Sequence, residues 1–159
     1  MASVTIKGVD RLTQRFNNIA KMELRGAVNK ATQLVHGQAK ALAPADTGLL
    51  RESIHMQVKD TGNAVEGRVY TNVEYAAYVE FGTGIKGNGT YPYQIEGLSL
   101  EYKDKGWVYY DEDKEKKIYT TGQKAQPYMY PALKENEKTI KQILKSGVHT
   151  QLKANSKGG

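Results

Sequence analysis

Residues 43–72 read APADTGLLRESIHMQVKDTGNAVEGRVYTN, and the fold turns on a change of period inside them. Pro44 disfavours helical geometry at Ala43 and so ends the helix that precedes it. From Ser53 to Asp60, Ile54, Met56 and Val58 alternate with His55, Gln57 and Lys59, the two-residue period of a half-buried strand. Thr61-Gly62-Asn63 supplies turn chemistry. From Ala64 to Asn72 the alternation resumes, with Val65, Gly67, Val69 and Thr71 on one face and Glu66, Arg68 and Tyr70 on the other. The two segments are expected to pair as an antiparallel hairpin.

On the N-terminal side of this hairpin the period is helical. Leu12, Phe16, Ala20, Leu24, Ala27, Ala31, Val35, Ala39 and Leu42 form one stripe, which predicts a helix over 10–43 with Asp10 as its N-cap. Gly26 and Gly37 each cost about 1 kcal/mol against Ala, and a kink near Lys21–Gly26 is compatible with that cost. On the C-terminal side, Tyr75, Tyr78 and Val79 take helical spacing within Val73–Phe81, a short helix that Gly82-Thr83-Gly84 stops. Residues 82–126 read as irregular, dense in Gly, Tyr and charge. Two short strands, Gly106–Asp111 and Lys117–Thr121, bracket a charged tip at Glu112–Lys116. A connection of that length in a compact domain is functional or mobile as a rule. Pro131 suits a first helical turn, and Leu133, Ile140, Ile143, Leu144, Val148 and Leu152 carry a stripe to about residue 152. The expected organisation is one α+β domain over 1–154, with 82–126 a variable assembly loop and 155–159 a disordered tail. The core is assigned to the helical stripes and to Ile54, Met56, Val58, Val65 and Val69, which leaves 83–124 outside it as a replaceable surface.

Composition narrows the chemistry. The 159 residues are 39% apolar and 25% charged, enough for a buried core. Cysteine is absent, which removes disulfides, thiolate metal sites and Cys nucleophiles. No run is long and apolar enough for a membrane span, and the N-terminus is not read as a secretory signal. The net charge of +6 is uneven: residues 1–55 carry 8 basic and 4 acidic groups, 56–133 carry 9 and 11, and 134–159 carry 6 and 2. Basic ends suit either contact with DNA or an ordinary solvated Lys-rich surface.

The motifs resolve toward structure rather than catalysis. Asp46-Thr47-Gly48 is the tripeptide of aspartic proteases, but that chemistry places the Asp on a turn after an apolar strand. Here a long helix and Pro44 precede it. The better reading is an Asx-turn at Asp46 and positive φ at Gly48 that redirect the chain. Gly82-Thr83-Gly84-Ile85-Lys86-Gly87 matches G-x-G-x-x-G, yet the Asn88-Gly89-Thr90-Tyr91-Pro92 that follows does not open the helix a dinucleotide site needs. It reads as a flexible hinge. His36, His55 and His149 fall in three elements with no ligand spacing, so no metal and no cofactor are expected. Trp107, Tyr109 and Tyr110 suit two roles equally, cross-strand packing and anchorage of an interface. No catalytic constellation emerges.

Four stretches in order carry a resemblance: Ala43–Ile54 (APADTGLLRESI), Tyr75–Gly84 (YAAYVEFGTG), Gly106–Tyr109 (GWVY) and Thr121–Leu133 (TGQKAQPYMYPAL). Together the chain resembles the small neck or tail-completion proteins of long-tailed double-stranded DNA phages and prophages. Arg51 lies one position beyond the shortest spacing of that pattern, and Tyr128 stands where Phe is commoner. The resemblance implies an α+β subunit of a ring at the head–tail junction, non-enzymatic and without a cofactor. Its partners would be further copies of itself, a neighbouring head-closure or connector protein, and tail-terminator or tail-tube proteins. Double-stranded DNA would pass through without sequence-specific contact, and no membrane is involved. Assembly contacts are assigned to Tyr91, Tyr93, Trp107, Tyr109, Tyr110 and Tyr119. The structural motif is Pro44, Asp46, Thr47, Gly48, Arg51, Gly82, Gly84, Pro127 and Pro131. A tail terminator capping the tail tube, or a small basic DNA-binding protein, are the alternative readings.

Overall fold

In the computed structural model, backbone is described for residues 9–45, 48–62 and 64–156, and side chains for the same residues except 9–13, 15–17, 19–21 and 150–156. The fold is α+β. Helix α1 (Val9–Leu42) leads through a single turn, α2 (Leu49–Glu52), into the hairpin β1 (His55–Asp60) and β2 (Val65–Tyr70). Helices α3 (Ala76–Phe81) and α4 (Gly84–Gly87) follow, then a second hairpin, β3 (Trp107–Asp111) and β4 (Lys116–Thr120). Helices α5 (Met129–Lys134) and α6 (Glu137–Ser156) close the chain. The hairpins form two separate two-stranded sheets.

The chain divides into two compact units, both discontinuous in sequence. One comprises Met1–His36, Met56–Val69 and Glu135–Gly159; the other comprises Gly37–His55 and Tyr70–Lys134. The sequence, read as one domain over 1–154, shows no linker because the unit boundaries fall inside α1 and at the base of the first hairpin.

In the first unit the described contacts between elements are close. A β-carbon at Gly147 of α6 would lie 2.5 Å from the Ala27 Cβ of α1, and one at Gly67 of β2 would overlap the Thr32 hydroxyl. Ala27, Ala31 and Thr32 are buried there. Thr32 satisfies its hydroxyl by donating to the Val28 carbonyl, 2.7 Å away. Small residues thus set how near the backbones approach.

In the second unit the 43–54 motif acts as a mechanical corner. Gly48 has φ +73°, the left-handed geometry expected of it, and α2 starts immediately after. Leu50 and Ile54 are buried anchors. Arg51 Nη2 donates to the Ala43 carbonyl at 2.9 Å, a cation placed on the carbonyl end of α1. The Ser53 hydroxyl lies 2.7 Å from both the Leu50 carbonyl and the Thr71 hydroxyl, which ties the corner to the end of β2. Asp46 and Thr47 lie outside the described residues, and so do the side chains of Asp10, Leu12, Phe16, Ala20 and Leu152.

Several boundaries differ from the sequence reading. Helix α1 runs unbroken through Gly26 and Gly37. The C-terminal helix is two, because Asn136 sits as N-cap of α6 with its carbonyl accepting from Ile140 N at 2.8 Å. Helix α6 extends to Ser156, so the expected tail begins inside it, and 157–159 lie outside the described residues. Leu42, Leu133 and Val148 of the helical stripes are exposed. Among the core residues assigned to the first hairpin, Ile54 is buried, whereas Met56, Val58, Val65 and Val69 are half-buried.

Candidate functional site

The glycines of 82–87 are packed, not hinged. Thr83 and Gln123 exchange both backbone hydrogen bonds, Thr83 N to Gln123 O at 2.9 Å and Gln123 N to Thr83 O at 3.1 Å, an antiparallel bridge between residues forty apart. A β-carbon at Gly122 would overlap the Thr83 carbonyl; one at Gly84 would lie 2.6 Å from Thr121 O, and one at Gly82 2.7 Å from Ala125 N. Here the backbones touch, and only glycine permits it. The stretch itself forms a helix of one turn, α4, while Asn88–Pro92 after it open none, and Lys86 N donates to Thr121 O from within α4 at 3.2 Å. Further bonds pin the two strands of the crossing: Gln126 N to Val79 O at 2.8 Å, Gln123 Nε2 to Tyr78 O at 2.9 Å, and Ala125 N to the Thr90 hydroxyl at 2.9 Å.

Beside the crossing lies a buried carboxylate. Glu80 of α3, 5% exposed, accepts from Tyr128 N at 2.8 Å and Met129 N at 2.9 Å through Oε2, and from Tyr130 N at 3.1 Å through Oε1. These are the free N–H groups at the start of α5, where a negative charge is favoured. Pro131 completes the turn with no N–H to satisfy. Glu80 therefore caps a helix that lacks a local cap: Pro127 and Tyr128 precede it, not Ser, Thr, Asp or Asn. Tyr128 fills the space beneath at 1% exposure, and its phenol is pushed up to about 12 by burial, by Glu80 and by Tyr75. The buried Tyr91 hydroxyl has no hydrogen-bond partner within normal geometry, and burial together with the nearby Glu80 raises it well above the usual phenol range.

This base divides the six tyrosine and tryptophan residues assigned to assembly. Tyr91 and Tyr93 are half-buried in a ladder of tilted and edge-on rings, with centroids at 5.0 Å for Phe81–Tyr91, 5.6 Å for Tyr91–Tyr93 and 5.0 Å for Tyr93–Tyr130. They pack the unit that the crossing closes. Tyr102 joins them by donating to the Phe81 carbonyl at 2.9 Å. The segment 83–124 is thus woven into the fold at both ends, a correction to its reading as a replaceable surface. The sequence marks it as loop because its contacts are with residues dozens of positions away.

The remaining four stand on the second hairpin. Its register pairs Trp107 with Thr120, Val108 with Tyr119, Tyr109 with Ile118 and Tyr110 with Lys117. Trp107 is half-buried: a β-carbon at Gly84 would lie 2.7 Å from its Cζ3, and Lys103 Nζ lies 4.9 Å from its ring centroid. That contact roots the hairpin on the crossing. Val108, Tyr110, Tyr119 and Lys117 share the opposite face and are exposed, Tyr110 at 57% and Tyr119 at 65%. Tyr109 is exposed as well. At the tip, Asp111 accepts from Lys114 N at 3.0 Å and Nζ at 3.1 Å, which holds its carboxyl below the usual range, and Glu115 takes φ +49°. The outcome is an aromatic arm anchored at its base, with four carboxylates in its tip at 111–115. Among the described residues, no group of three His, Asp or Glu side chains is placed to hold a metal ion.

Sequence comparison bears on the base of this arm. The family model described as "Bacteriophage HK97-gp10, putative tail-component" matches residues 5–82, which takes in the 43–54 corner and α3 with Glu80. The GWVY and TGQKAQPYMYPAL stretches lie beyond the match. Comparisons with curated proteins and with solved structures return no match. Over residues 5–82, just under half of its length, the chain is similar to the HK97 gp10-like family that this description names.

Proposed function

We propose that this tail component is a non-enzymatic subunit of the ring at the head–tail junction, which completes the tail, joins it to a DNA-filled head and continues the DNA channel. The observation that carries the reading is the arm of 107–120, an exposed aromatic sheet face mounted on a backbone crossing where Gly82, Gly84, Gly87 and Gly122 permit close approach. A two-stranded hairpin is marginal in water by itself, so one anchored at its base with an open aromatic face suits assembly. Trp and Tyr dominate interface energetics. A ring subunit needs two different faces that close by rotation, and neighbours in the virion would be further copies, a head-closure or connector protein, and tail-tube or terminator proteins. DNA in transit would meet charge without base readout. Among the described residues no helix is long and apolar enough to cross a membrane.

Electron microscopy of particles made without this gene tests the proposal. Filled heads beside separate, finished tails are the expected result. Heads that lose their DNA would move the protein to head closure, and tails of uncontrolled length would make it a terminator.

A further inference from the structure

The two units differ in charge. The unit of Met1–His36, Met56–Val69 and Glu135–Gly159 holds 13 basic and 6 acidic residues, a net of +7. The other holds 10 and 11, a net of −1. Within the first, α1 and α6 enclose an open groove of about 650 Å³ lined by Met22, Gly26, Ala27, Lys30, Gln142 and Ile143 among others. Its size is that of a ligand cleft, in the range of roughly 300–1,000 Å³. Met22 stands in it 74% exposed.

Gly26 is the second observation. It sits in the middle of α1, where glycine costs about 1 kcal/mol against Ala. A β-carbon there would meet nothing within 4 Å. Gly147, across the groove, is different: its missing β-carbon makes room for Ala27. The chain's own packing thus accounts for Gly147, whereas Gly26 borders open space, as Gly37 of the same helix does. Of those two, Gly26 lines the groove beside exposed Met22, where a side chain from outside has room to enter.

We infer that the aromatic arm of one copy seats in the α1–α6 groove of the next, Tyr110 and Tyr119 over Met22 and Gly26, with the arm's acidic tip toward the lysines of α6. Charge selects the pairing. Asp111–Glu115 carry four carboxylates and one lysine, while Lys138, Lys141 and Lys145 are exposed along α6, Lys141 also pairing with Glu137 at 2.5 Å. Each copy has one arm and one groove. The contact is therefore heterologous, and repetition closes a ring or extends a filament. This deepens the ring reading and rests on it.

Zero-length carbodiimide cross-linking of the purified full-length chain tests the contact, with isotopically light and heavy copies mixed so that links between copies are recognised. Light–heavy links from Glu112 or Asp113 to Lys138 or Lys145 are expected, with a ladder beyond dimer. Gly26→Leu should lower the yield of these links about tenfold, the loss of one good interface contact, while leaving the melting temperature equal or higher. Reversal of the tip (Glu112→Lys with Asp113→Lys) should abolish them, and adding Lys138→Glu with Lys145→Glu should restore association, measured by sedimentation. The inference is overturned if no light–heavy link joins the arm to α6, if the arm links instead to another surface, or if Gly26→Leu leaves the yield unchanged. Those failures leave the junction assignment standing, since particle morphology decides it separately.

Discussion

Replacing Glu80 removes the group through which α3 holds the start of α5. Its carboxylate is 5% exposed and takes three backbone donors within 3.1 Å. Hydrogen bonds to a charged group contribute about 1.5–3 kcal/mol each, and each buried donor left without a partner costs about 1–3 kcal/mol. The three act on one carboxylate, so their losses do not add in full. Glu80→Ala is expected to cost about 4–6 kcal/mol, a large part of the 5–15 kcal/mol that holds a typical domain. Glu80→Gln is milder. Its amide oxygen can replace Oε2 toward Tyr128 and Met129, but its NH₂ then faces the Tyr130 N–H, donor against donor. The expected cost is about 2–3 kcal/mol, or roughly 4–12 °C in melting temperature for a chain of this size. Trp107 is the only tryptophan and lies in the same unit, so its fluorescence reports this transition directly. Gln and Ala variants that melt with the wild type would refute the capping role. So would equal losses for both, which would mean that side-chain volume and not the oxygen pair is what counts.

Gly122→Ala is expected to cost about 3 kcal/mol or more, since the new methyl would overlap the Thr83 carbonyl at φ +95°, and Trp107 fluorescence should report the loss. In the first unit, Gly67→Ala should cost about 1–3 kcal/mol against the Thr32 hydroxyl. Thr32→Ala should recover part of it, a coupling read by a double-mutant cycle followed by circular dichroism. Alkaline stability has a definite sign. Tyr128 and Tyr91 ionise near pH 10 when unfolded and higher when folded, so unfolding releases protons there. Stability should hold below pH 10 and fall as pH rises toward 12, with Tyr128→Phe flattening the decline; a flat urea midpoint across that window would contradict it.

What the sequence disclosed is what its local period encodes. Val58 and Val65 mark a hairpin because their neighbours alternate, and Gly48 marks a corner because Pro44 has just ended a helix. The two strands at Trp107 and Ile118 were legible as short runs bracketing a charged tip. The crossing was not. Gly82, Gly84 and Gly122 are glycines by virtue of atoms forty residues away, and a local reading gives them the looseness of a hinge. Glu80 was missed because an acidic residue on a short helix resembles a solvated one. A signal did exist: α5 starts behind Pro127 and Tyr128, and a helix start without a local cap must find its acceptor elsewhere. Asn136 likewise announced the start of α6 ahead of Glu137. The division of the aromatics into Tyr91 and Tyr93 within the ladder and Tyr110 and Tyr119 in the open depends on strand register and ring contacts, which composition does not encode.

The placement of Glu80 also explains how the two halves of the chain depend on each other. The family match ends at Gly82, two residues after the carboxylate, yet all three donors to that carboxylate lie at 128–130. The matched stretch supplies an acceptor that is useless until the chain returns from the arm. Those donors are backbone N–H groups, and the neighbouring crossing is likewise made from backbone atoms and absent β-carbons. The junction itself asks for glycine at 82, 84 and 122 and for the Glu, while Thr90, Tyr91, Tyr93 and Tyr102 of the segment between also hold onto its base. In the proposed contact, Val108, Tyr110 and Tyr119 would meet a partner at little cost to the fold, because the hairpin is rooted through Trp107 on Gly84 by one face and open on the other.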